Sequence, residues 1–122
     1  MYYPQQQRAN HQYVETQVMS ADPIQLVIMT YDVAISASRS KDMSKALQAV
    51  GELQVALNHE EGGQIAADLL SLYLYISDLL RKQNFEEAAK LLTELRQTWV
   101  QVRKQLREQM TAQEKPVMSM AA

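Results

Sequence analysis

Cysteine is absent from this chain of 122 residues, which excludes disulfides and thiolate chemistry. Glycine and proline are scarce, three of each, so every one is punctuation: Pro4 and Pro116 mark the tails, Pro23 opens a helix, and Gly62-Gly63 breaks the chain near its middle. Long apolar runs are missing too. The longest, Leu69 to Ile76, is interrupted by Ser71 and falls far short of a bilayer span. The start, MYYPQQQRAN, lacks the basic-then-apolar layout of a signal peptide, and the expected location is the cytoplasm. There is no basic surplus: the formal net charge is -2, which argues against a dedicated nucleic-acid binder and for a protein partner. With 47% hydrophobic and 21% charged residues, what is there suits one globular domain with a real core.

β-branched runs, two-residue hairpin turns and period-2 alternation are also lacking, so strands have no support and the expected class is all-α. Asp22-Pro23-Ile24-Gln25 is a helix-start signal, with an N-cap, a proline at the first helical position and the partner for a capping box. From it a helix is predicted over about 23 to 39. Ile24, Val27, Ile28, Tyr31 and Ile35 form one apolar stripe; Leu26, Met29, Val33 and Ala37 form a second. A second helix is predicted from near Asp42 to a point before Gly62, and a third from about Gln64 to Lys82, which again carries a wide apolar arc. The fourth opens at the Asn84-to-Glu87 capping box and repeats Ala88, Leu91, Leu92, Leu95, Trp99, Val102, Leu106 and Met110. Gly51 sits inside a helix, where it costs about 1 kcal/mol relative to alanine unless a close helix crossing needs it. Short connections imply an antiparallel up-down-up-down four-helix bundle over 22–114, with an N-terminal lead segment at 1–21 and a flexible tail at 115–122.

Catalytic and metal chemistry find no candidate residues. A carboxylate-bridged metal pair in a bundle needs Glu-x-x-His on two helices, and the only histidines are His11 and His59. His59 lies beside Glu60 and Glu61 with no second ligand at helical spacing, which fits a solvated helix end. No serine has a base placed against it, and Gly62-Gly63 lacks the lysine of a phosphate loop. The expectation is a non-enzyme with no metal and no cofactor. Arg96, Arg103 and Arg107 form a ridge along the fourth helix, diluted by Glu94, Glu108 and Glu114, and a solvated face is the favoured reading. Tyr31, Tyr73 and Tyr75 are expected in or near the core with their hydroxyls reaching the surface. Tyr73 and Tyr75 stand about 200° apart around a helix, so one of them should line a second surface.

VETQVMSADPIQLVIMTYD, then SKALQAVGELQVALNHEEGGQIAADLLSLYLYI, then LLTELRQTW occur in an order that resembles the flagellar secretion chaperone family FliS, over about 13 to 103. The likeness lies in a serine-alanine-x-proline helix start, an aromatic-Asp pair, a Gly-Gly-x-Ile-Ala turn, a Leu-x-x-x-Tyr helix and a late tryptophan. The resemblance implies a small bundle that holds flagellin monomeric through its C-terminal region, prevents premature polymerisation, delivers it to the flagellar export machinery, and has an N-terminal segment able to cover the binding surface. Two departures stand out: a first hairpin shorter than the family's, and Val33 where the family usually has glycine.

A chaperone of this kind needs an apolar groove for a helix face, which surplus apolar arc on the first and third helices would supply. The groove residues expected are Leu26, Met29, Val33, Leu70 and Tyr73, and the cover residues Tyr13, Val14 and Val18. Neither nucleic acid nor membrane insertion is expected. The alternatives are a helical adaptor or divergent paralogue with another protein client, or a self-associating bundle.

Overall fold

The computed structural model describes residues 23–121, with side-chain surroundings as far as residue 112. Its elements are α1 (Pro23–Arg39), α2 (Met43–Val55), α3 (His59–Arg81) and α4 (Phe85–Ala121), and no strand occurs among the described residues. The fold is the all-α four-helix bundle expected. Residues paired between α1 and α4 run in opposite order: Asp32 with Arg96, Tyr31 with Trp99, Gln25 with Arg103. Each helix packs on the next, and α4 closes the ring against α1.

Two turns repeat one device. At the end of α1 the Asp42 amide donates to the Ala37 carbonyl at 2.8 Å and the Lys41 amide to Ser38; at the end of α3 the Asn84 amide donates to Leu79 at 2.8 Å and the Gln83 amide to Leu80. These are Schellman closures whose left-handed residue is not glycine, with φ of 62° at Lys41 and 63° at Gln83. Asp42 and Asn84 then cap the next helix, accepting from the Lys45 and Glu87 amides at 3.1 and 3.4 Å. Such tight reversals force antiparallel neighbours.

The middle of the chain adds one turn to the expectation. α2 ends at residues 56–58, Asn58 caps a first turn of α3 by accepting from the Glu61 amide at 3.1 Å, and the helical backbone is then interrupted at Gly63, where the Gly62-Gly63 pair predicts a break. Gly63 is a kink inside α3 (φ 51°, ψ -122°) that only a residue without Cβ enters readily. His59 stands exposed in the first turn of α3. At the other end α4 runs to Ala121, and no glycine follows Phe85 to close it. Gly51 faces open space, since a Cβ built there meets nothing within 4 Å, so no helix crossing requires it.

Ile28, Tyr31, Ala34, Ile35, Val50, Leu53, Tyr73, Ile76, Leu80 and Leu92 are buried in the core. Ala37, placed by spacing on an outer stripe, is buried as well, because the tight turn folds α2 over the last turn of α1.

Candidate functional site

α2 has 13 residues against 17 in α1 and 23 in α3, so it is about 20 Å long and stops before its neighbours do. The apolar stripes of α1, α3 and α4 run on beyond it without a fourth wall. A cleft of about 360 Å³ results at this end of the bundle. Pro23, Ile24 and Val27 of α1 form one side, and Gly62, Ile65, Ala66 and Leu69 of α3 the other. Leu53, Ala56 and Leu57 close the α2 end, while Tyr73 and Trp99 lie deepest. The kink at Gly63 sits on its rim. Gly62 has no room for a side chain, since a Cβ there would stand 2.9 Å from the Ala66 Cβ. Ile65 is 72% exposed, an aliphatic side chain left in water at the mouth.

Under the cleft a hydrogen-bonded aromatic chain ties three helices together. The Trp99 indole N–H donates to the Tyr31 hydroxyl at 3.1 Å, and the Tyr31 and Tyr73 hydroxyls lie 2.6 Å apart with their rings tilted by 60°. Burial pushes both tyrosine hydroxyls above their ordinary range, so they are neutral partners. The expectation that these hydroxyls reach the surface is corrected: they satisfy one another inside.

The residues expected to form the groove are only partly brought together. Tyr73 is 1% exposed and serves as the floor of the cleft; Tyr75, 52% exposed, is the tyrosine that faces outward. Met29 and Val33 are exposed on the back of α1, with Leu26 half-buried on that face, and Leu70 is half-buried on α3 away from the cleft lining. Tyr13, Val14 and Val18 lie outside the described residues, as does Asp22, the expected N-cap. Ile24 and Val27 belong to the first apolar stripe of α1, and Ile65 and Leu69 to the wide apolar arc of α3. The signal that could have exposed them is the length mismatch between the helices, which leaves part of a core stripe uncovered.

A second recess, of about 540 Å³, lies at the opposite end between Arg39, Lys41 and Phe85 on one side and Glu86, Lys90 and Glu94 on the other, and it mixes both charge signs. Among the described residues no group of three or more His, Asp or Glu side chains could hold a metal ion, and no helix is long and apolar enough to cross a membrane. The built features are therefore an apolar cleft and the faces around it.

Comparison with known proteins gives two concordant matches. The family model described as flagellar protein FliS matches residues 5–106. The flagellar secretion chaperone FliS of Salmonella typhimurium (strain LT2) is 32% identical over 111 residues, covering 73% of this chain and 82% of that protein.

Proposed function

The chain belongs to the family of the flagellar protein FliS, and from that premise we propose that it is a flagellar secretion chaperone whose client is the C-terminal region of flagellin. It binds without catalysis, keeps the client from polymerising early and hands it to the export machinery in the cytoplasm. The observation that carries this reading is the apolar cleft left open where α2 ends. A helix of the client lays its apolar face there against Val27, Ile65 and Leu69, which replaces solvent on side chains the bundle cannot cover. Val33, Leu26 and Leu70 extend the apolar surface around α1 and α3 for further segments of the client, while Met29 lies in a separate groove between α1 and α4.

Pro23, the first described residue, stands on the wall of the cleft. In this reading Tyr13, Val14 and Val18 serve as a cover that occupies part of the surface until the client displaces it, and affinity for the client is lowered by the closed fraction.

Titration calorimetry with a peptide from the flagellin C-terminus tests the assignment. Ile65→Asp removes an apolar contact and buries a carboxylate under the client, while costing the free fold little because Ile65 is already exposed. Affinity should fall at least about tenfold, equivalent to roughly 1.4 kcal/mol, with helicity unchanged. Full affinity in the folded variant places the client elsewhere.

A further inference from the structure

The arginine ridge of α4 borders a groove. Arg96, Val100, Arg103 and Arg107 recur at steps of four, three and four residues, and they line a groove of about 460 Å³ against Gln25, Ile28, Met29 and Asp32 of α1, themselves at steps of three, one and three. The two stripes face each other as a helix pair does, and the open side of such a seam accepts a third helix. This groove shares no lining residue with the apolar cleft.

Its charge is one-sided. Among the described residues four cations, Arg96, Arg103, Lys104 and Arg107, line it with one carboxylate, Asp32, and Asp32 is bonded to the Arg96 guanidinium. Arg103 donates to the Gln25 side-chain carbonyl at 3.1 Å, which holds the guanidinium in the groove wall. A chain with a net charge of -2 thus concentrates positive charge over about 16 Å of one helix face, the rise of eleven residues. Met29, 54% exposed, and Val100 supply apolar contacts between the cations.

We infer that this groove docks an acidic amphipathic helix of a second protein partner, with carboxylates at steps of seven and four residues to match Arg96, Arg103 and Arg107 and apolar side chains between them. Charge complementarity selects the sign, and guanidinium groups favour carboxylates through paired hydrogen bonds. The alternation of cation and aliphatic side chain selects a helix over an extended polyanion. Among the described residues no aromatic side chain lines the groove to offer a stacking surface for single-stranded RNA.

The test uses the full chain and three labelled probes followed by fluorescence anisotropy: an 18-residue helical peptide with glutamates at that spacing and leucines beside them, a scrambled peptide of the same composition, and a uridine oligonucleotide. The ordered peptide should bind at least tenfold tighter than the scrambled one, and its affinity should fall as salt is raised. Lys104→Glu with Arg107→Glu, both exposed, should lower that affinity at least tenfold. In the same variant flagellin peptide binding, which uses the other cleft, should stay within twofold of wild type. Equal binding of the scrambled peptide, tighter binding of the oligonucleotide, or unchanged affinity in the folded double variant overturns the inference.

Discussion

Tyr31→Phe removes one oxygen and should cost this protein about 2–3 kcal/mol, far more than a lost surface hydroxyl. That oxygen is shared: it accepts from the Trp99 indole N–H and lies 2.6 Å from the Tyr73 hydroxyl. Without it, the Tyr73 hydroxyl keeps only the Trp99 indole as a partner in a residue that is 1% exposed, and the lost buried bond costs about 1–3 kcal/mol. The Trp99 N–H loses less, about 0.5–1.5 kcal/mol, because Trp99 borders the open cleft and water can reach it. The ring stays, so no cavity forms. Urea titration followed by far-ultraviolet circular dichroism should show a lower midpoint at unchanged slope, and the melting temperature should drop by roughly 8–12 °C. Tyr75→Phe is the control and should lie within about 0.5 kcal/mol of wild type, since Tyr75 is exposed. Phenylalanine at both 31 and 73 removes both hydroxyls together, so its cost should fall about 1 kcal/mol short of the sum of the single changes. A Tyr31→Phe protein as stable as wild type would refute the shared-hydroxyl account of the core.

Gly51→Ala should raise stability by about 0.5–1 kcal/mol, measured by urea midpoint, because the added methyl meets open space and the helix gains propensity. Lys41→Gly and Gln83→Gly should each stabilise by up to about 1 kcal/mol, since both positions hold a left-handed backbone that favours glycine; a loss in either would show that its side chain matters more than its φ. Stability should fall as pH rises above about 10: Tyr31 and Tyr73 keep their protons in the folded state while the unfolded chain gives them up, so the loss is roughly 1.4 kcal/mol per pH unit for each, and Tyr31→Phe should flatten the alkaline slope in pH-resolved urea titrations. Deleting residues 1–19 should leave the urea midpoint nearly unchanged while raising dye binding, and Tyr13→Ala should tighten flagellin peptide binding in surface plasmon resonance; weaker binding would make Tyr13 a direct contact and end the cover reading.

Helix number, class and three of four starts were legible because Pro23, Asp42 and Asn84 are local signals, read from a few residues without knowing what packs where. The Gly62-Gly63 pair was legible for the same reason, since Gly63 does interrupt the helical backbone; the extra turn that Asn58 caps ahead of it was not. The cleft was only half legible: surplus apolar arc on the first and third helices was visible, but its residues were assigned by which stripe looked redundant. What uncovers a side chain is the length of the helix opposite. That is a tertiary property, and it left Ile65 in water and buried Tyr73. The ridge of Arg96, Arg103 and Arg107 was visible as a row of charges, whereas the facing stripe of Gln25, Met29 and Asp32 came from packing α1 against α4.

Trp99 is the chain's single tryptophan and lines the apolar cleft, so its emission reports directly on whether the client sits there. A tryptophan-free peptide from the flagellin C-terminus, titrated into the full chain, should shift that emission to shorter wavelength in a saturable way, because the indole loses contact with water. The same titration of Ile65→Asp should need at least about tenfold more peptide to reach half-saturation. Saturable binding by calorimetry with Trp99 emission unmoved would contradict the assignment of the client to this cleft.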